Sequence, residues 1–268
     1  MQFESSLFDI GANLTHKSFD HDLDVVMARA NAAGVVGLVV TGTELLQAQQ
    51  ALELARRHPG VLWSTAGVHP HHASDYSDDV DDGLRALLNA DVVVAVGECG
   101  LDYNRDFSPR DQQRSAFERQ LQIAADTHKP LFLHERDAHD DFFAILKNSR
   151  DDVGDVVVHC FTGERAALHA YLDLGCSIGI TGWVCDEKRG QNLRTLVAHI
   201  PIERLLIETD APYLLPHGVR PKPTPDQRRN EPMYLRHVAE TIAAIRGIDV
   251  VTLATQTTAN ARRFFQLV

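Results

Sequence analysis

The sequence predicts an α/β protein built as a single-domain (β/α)₈ TIM barrel over residues 1–268. Three observations predict it. Eight short apolar runs recur along the chain, each suited to a strand buried on both faces of a parallel sheet. Between them lie segments with helical periodicity, and successive runs begin roughly 20 to 40 residues apart, the spacing of βα units. No G-x-G-x-x-G follows the first run, which argues against a doubly wound dinucleotide sheet.

Taken in order, the runs are LFDI from residue 7, VVGLVVTG from 35, VLWSTAG from 61, VVVAVGE from 92, PLFLH from 130, DVVVH from 155, CSIGITG from 176 and LLIETD from 205. Among the connecting segments, SPRDQQRSAFERQLQIAADTHK carries Phe117, Leu121, Ala124 and Ala125 on one helical face. Ser108 is its expected N-cap, with Pro109 in the first turn. Gly34 and Gly175 fall where helices should end. The acidic stretch DYSDDVDD, residues 75 to 82, reads as a solvated loop and helix start. Residues 212 to 232 are proline-rich without a helical period, and so predict a functional loop at the rim, carrying the bases Arg220, Lys222, Arg228 and Arg229.

A formal net charge of −11 argues against broad electrostatic adhesion to nucleic acid or an anionic membrane, so an anionic substrate must be met locally. No apolar stretch approaches the length of a membrane span and the N-terminus carries no signal-like pattern, so a cytoplasmic protein, monomeric and without membrane contact, is expected. The four cysteines, Cys99, Cys160, Cys176 and Cys185, form no C-x-x-C pair and read as reduced, packed thiols.

The polar residues at the C-terminal ends of the runs carry the chemistry. They are Asp9, His69, Glu98, His134, His159 and Asp210. In a barrel these ends converge on one mouth. Imidazoles and carboxylates gathered there match the ligand types of a divalent metal, and a metal would compensate acids at a core boundary. Glu98, His134, His159 and Asp210 are the expected ligands. A lone histidine at a strand end is more often structural; four converging groups favour ligation. Glu208 shares the parity of Asp210 but stands deeper. His71 and His72 are expected on the solvent side.

The motifs GVHPH at 67 to 71, VGECGLDY at 97 to 103, LHERDA at 133 to 138, VHCFTG at 158 to 163, ITGWVCDEKRG at 180 to 190, ETDAPYLLP at 208 to 216 and RRNEP at 228 to 232 occur in this order. By these motifs the chain resembles the TatD family of metal-dependent deoxyribonucleases, from Asp9 to near the C-terminus. The resemblance implies a magnesium-dependent hydrolase of phosphodiester bonds, a 3′ to 5′ exonuclease on single-stranded DNA ends with some action on RNA, in DNA repair or turnover. It implies Glu98, His134, His159 and Asp210 as metal ligands, Asp210 as activator of the water, and His69 and Arg136 near the scissile phosphate. Most relatives end the first strand in D-x-H-x-H, whereas this chain has Gly11 and Asn13 at the histidine positions, which leaves a second tightly held metal open.

On chemical grounds Asp210 is the candidate base, while Arg136 and Arg229 suit bidentate contact with phosphate. His69 suits either a bond to the phosphate or departing oxygen, or a brace for the V-H-P turn. Imidazole ligands suit Mn²⁺ or Zn²⁺ better than Mg²⁺. Tyr103, Phe107, Phe161, Trp183 and Tyr213 are candidate stacking partners for bases, Trp183 first. Two alternatives stand beside the nuclease: a metal-dependent hydrolase of small esters, lactones or amides, and a catalytically weakened metal- or nucleic-acid-binding protein.

Overall fold

In a computed structural model, which describes residues 6–219 and 228–267, all eight apolar runs form strands. Arg220 and Lys222 lie outside the described residues. The strands are β1 (Leu7–Ala12), β2 (Val35–Val40), β3 (Leu62–Ala66), β4 (Val93–Asp102), β5 (Leu131–Arg136), β6 (Val156–Val158), β7 (Ser177–Ile180) and β8 (Leu205–Ile207). They form one parallel sheet in sequence order. Backbone bonds from Asp210 N to Gly11 O (2.9 Å) and from Asn13 N to Ala211 O (2.6 Å) join the end of β8 to β1. The Asp9 carboxylate reinforces this seam, accepting from the backbone N and hydroxyl of Thr209 at 2.9 and 2.6 Å.

The helices follow the strands: α1 (Leu23–Ala32), α2 (Leu45–Arg57), α3 (Asp78–Leu88), α4 (Arg110–Thr127), α5 (His139–Asn148), α6 (Arg165–Asp173), α7 (Gln191–Val197), α8 (Leu235–Arg246) and α9 (Val250–Phe264). Gly34 and Gly175 follow the C-caps of α1 and α6 with φ of 94° and 75°, a left-handed conformation that costs glycine nothing. One apolar cluster draws Phe8, Ile10, Val39, Val94, Phe132, Val157 and Leu206 from six strands, with Phe264 at the end of α9 and Phe265 beside it. Only the interior of a closed sheet brings those strands together. A larger cluster lies between strands and helices and buries Phe117, Leu121 and Ala124 of α4.

Three local expectations are corrected. Ser108 does not cap α4; its hydroxyl donates to His71 O at 3.0 Å and accepts from Ser74 N at 3.1 Å, tying two rim loops together. The acidic stretch starts α3 with Ser77 as cap, yet Asp81 is buried, held by Arg85 at 2.7 Å and Tyr76 at 3.0 Å. β4 is longer than its apolar run and carries on through Asp102.

Candidate active site

Glu98 sits in β4 with its side chain buried, and a single oxygen, Oε1, is met by three imidazoles. His134 Nδ1 from β5 lies at 3.0 Å, His159 Nε2 just past β6 at 2.8 Å, and His69 Nε2 beyond β3 at 3.4 Å. Each ring has a further anchor. His134 Nε2 faces Asp102 Oδ2 at 3.3 Å, and His159 Nδ1 faces Glu208 Oε2 at 3.2 Å. His69 Nδ1 accepts from the backbone of His71 at 3.1 Å, so this ring braces its turn while reaching the cluster.

Asp210 completes the mouth from the other side. The chain leaves β8 after Ile207 and Asp210 adopts φ of 55°, so simple strand alternation does not set its direction. Its Oδ1 accepts from Asn13 Nδ2 at 3.0 Å. Glu208, fully buried, lies deeper and also accepts from Cys160 N at 2.6 Å. A β-carbon at Gly11 would lie 2.7 Å from Glu208 Oε2, and one at Gly179 would lie 2.8 Å from Oε1. The side-chain-free position in β1 therefore opens the slot that Glu208 fills.

The electrostatics follow from these contacts. Burial alone would raise the Glu98 pKa, but the charge of His159 and the bonds from His134 and His159 hold it well below the carboxylate range. Burial likewise opposes ionisation of Asp102, and its bonds to His134 and His71 pull it down. Burial disfavours the charged rings, yet Asp102 and Glu98 raise His134, while Glu98 and Glu208 raise His159 well above its usual value. His69 goes the other way: burial dominates and takes it to about 4, leaving a neutral ring at neutral pH. Asp210 is pushed up to about 7, by burial and then by the charge of Glu98.

The donor set fits a cation. His134 and His159 each have carboxylate oxygens at both nitrogens, but a neutral imidazole carries one N–H, so each ring needs a further positive charge on one side. A proton can supply it, and so can a metal in the same position. His69, Glu98 and His134 each offer a ligand atom, all within 4.8 Å of one another. The cluster is thus a buried carboxylate-rich site with neutralisable imidazoles, the donor chemistry of a divalent metal.

The other predicted residues divide. Arg136, the last residue of β5, donates to Thr162 Oγ1 at 2.9 Å and lines a cleft of about 750 Å³ with Trp183 and Arg189. None of the three histidines or Glu98 lines that cleft, which places it beside the cluster. The Arg189 guanidinium lies 4.9 Å from the centre of the Trp183 ring. The structure does not bring Arg229 to the cluster. Its guanidinium is held by Asp22, by Glu231 at 3.1 Å and by the Ser18 carbonyl, and it lies over the Phe19 ring. Two carboxylates already meet its charge, and these contacts tie Arg229 to Ser18 and Asp22 in the segment after β1.

Sequence reasoning missed Asp102 and misplaced His71. His71 is not a simple solvent-side residue: Nε2 lies 2.9 Å from Asp102 Oδ2. Asp102 shares strand parity with Glu98 within VGECGLDY, and that was the available signal. Of the candidate stacking rings, Phe161 is buried and Tyr103 is bonded to Asp141 at 2.6 Å, whereas Phe107 and Tyr213 are exposed.

Fold and site together define a TIM-barrel protein with a metal-type histidine and carboxylate cluster at its C-terminal mouth. The model of the TatD related DNase family matches residues 8–266. The chain belongs to the TatD family. It is 54% identical over 261 residues to the 3′-5′ ssDNA/RNA exonuclease TatD of Erwinia amylovora, covering 97% of this chain and 100% of that one. With the protein of the same name from Salmonella typhimurium it is 55% identical over 262 residues, covering 98% and 100%. Among solved structures, a TatD homologue from Escherichia coli superposes with a TM-score of 0.88 at 28% identity, covering 98% of each chain. No helix among the described residues is long and apolar enough to cross a membrane.

Proposed function

We propose that this protein is a metal-dependent exonuclease that removes nucleotides from the 3′ end of single-stranded DNA and RNA, in DNA repair or turnover. The observation that carries the reading is the convergence of three imidazoles on one oxygen of Glu98, opposite Asp210. It stands in a chain that matches, along nearly its full length, relatives named for that activity. The same match favours the nuclease over the ester, lactone or amide hydrolase and over the weakened binding protein.

Glu98, His134, His159 and Asp210 hold the cation in this reading, and His69 joins them. When bound, the cation offsets charge on the nonbridging phosphate oxygens and acidifies water. Asp210, close enough to Glu98 and His159 to feel their charge, would take the proton of the attacking water. Arg136 pairs with the phosphate, and Trp183 in the neighbouring cleft stacks on the strand. Family resemblance favours Mg²⁺, while the imidazole content of the set suits Mn²⁺ or Zn²⁺. The acidic surface suits brief contact with strand ends by a monomer in the cytoplasm.

Digestion of 5′-labelled single-stranded DNA with Mg²⁺ or Mn²⁺ tests the reading. A ladder of shortened products, abolished by chelator and by His134→Ala, is expected; a full-length band with every metal rejects it.

A further inference from the structure

Among the described residues six large apolar side chains stand exposed: Val25, Leu46, Val61, Phe107, Tyr213 and Val251. Val25, Leu46 and Val251 lie on helices, and Val61 precedes β3 at the end of the barrel away from the mouth. The two aromatic ones differ from these in place. Phe107, 67% exposed, lies in the loop after β4, its ring centre 4.6 Å from that of His71, which bonds Asp102, which in turn faces His134. Tyr213, 52% exposed, follows β8; its backbone N donates to the carbonyl of Asp210 at 2.9 Å, and its ring meets His16 edge-on at 5.7 Å. With strands ordered β1 to β8 around a sheet joined at β8 and β1, β4 and β8 stand on opposite sides of the mouth.

A strand end lying across the cluster therefore meets an open aromatic face on each side. Aromatic faces bind nucleobases by stacking, with little regard to sequence. Bases in a duplex are stacked on their neighbours and offer such a ring no free face, so this arrangement selects unpaired ends. It is also independent of charge, which suits an acidic protein. We propose that Phe107 and Tyr213 form a stacking clamp that takes the unpaired bases on either side of the scissile phosphate. The clamp rests on the exonuclease reading and gives it the basis of its single-strand selectivity.

The test couples each ring to one base. Binding of 5′-fluorescein oligonucleotides lacking the 3′-terminal, penultimate or third base is measured by anisotropy, in an Asp210→Asn background that keeps the strand intact. Removing a stacked base should weaken binding by roughly 5- to 150-fold in that background. Phe107→Ala should abolish the penalty at one position and Tyr213→Ala at another, whereas Phe107→Tyr and Tyr213→Phe should keep it. Thermal melting of each variant checks that it is folded. Penalties that persist unchanged in both alanine variants overturn the clamp, as does the absence of any base penalty before the rings are touched. Because binding is read without cleavage, a coupled penalty in a protein that digests no strand would reject the exonuclease reading and leave the clamp standing.

Discussion

The two halves of the barrel mouth are built differently. On the β4 to β6 side, Glu98, His134 and His159 rise from or directly after consecutive strands, and each contact is backed by a further carboxylate, Asp102 or Glu208. On the β1 and β8 side, Gly11 brings no side chain, Asn13 brings a neutral amide, and Asp210 stands on a left-handed turn with one side-chain bond. The first half is a densely bonded cluster with the donor set of a divalent cation site. The second is sparse, and leaves a carboxyl group that burial and then the charge of Glu98 push up to about 7. The lesson is that one mouth is densely bonded on one side and sparsely on the other, which in the proposed reading separates holding a cation from moving a proton.

The largest effect should come from Glu98→Gln, because one amide cannot accept from three rings. Activity on labelled single-stranded DNA should fall on the order of 10³-fold or more, with loss of bound metal by elemental analysis. A variant that keeps its metal would break the comparison at its centre. Asp210→Asn should instead lower kcat by about 10²- to 10⁴-fold with a smaller loss of bound metal than Glu98→Gln, since Asp210 is one ligand among several and also the base in the proposed reading. A loss of metal as complete as that of Glu98→Gln would erase the contrast between the two sides. Asp102→Asn sharpens the contrast, with about 10- to 100-fold weaker metal binding or activity, since Asp102 orients His134 and His71 without sitting at the centre.

Gly11→Ala places a β-carbon 2.7 Å from Glu208 and 2.9 Å from Phe132, and should cost about 1–3 kcal/mol of stability by denaturant melts. Gly154→Ala, with nothing within 4 Å of the added carbon, should stay within about 0.5 kcal/mol. Equal costs would show that the Glu208 slot is not tight.

The smallest effect is on pH, measured on chelator-treated protein. Asp9, pushed up to about 8 chiefly by burial, and Asp210, at about 7, bind protons more readily folded than unfolded. Their acid forms favour the fold, and that stability is lost as pH rises from the unfolded value near ~4 through these pKa values. His134 and His159, raised in the fold, act in the same direction above about 6.5. Glu98 and Asp102 are held low, so their contribution is present above ~4 and lost only as pH falls below it. His69, taken down to about 4 by burial, opposes this below about 6.5, but the two raised acids outweigh it, so melting temperature should rise as pH is lowered from 8 to 5, and added Mn²⁺ should flatten the slope. A slope of opposite sign with metal removed would contradict this assignment of charge.

Much of the fold could be read from local pattern. A strand covered on both faces admits little but Val, Ile, Leu and Ala, so β2 and β6 announce themselves as VVGLVV and VVV. Strand ends were less legible. β4 runs through polar Asp102 because its backbone keeps pairing with β5 as far as Arg136, while β8 ends at Ile207, three residues before the chain turns with φ of 55° at Asp210. Arg229 illustrates the same limit in the site, since a motif says which residue is present and not which carboxylates neutralise it.

Burial pattern and strand-end chemistry, both written within short segments, were enough to determine an eight-strand barrel with acids and imidazoles at one end. Only the tertiary structure decided that Glu98 stands at the centre of three rings, that Glu208 fills the space beside Gly11, and that Asp210 is bonded by Asn13, 197 residues away in sequence. The physical reason is that hydrogen-bond partners and the field that sets each pKa are fixed by distance in space. Distance between remote segments exists only once the sheet has closed.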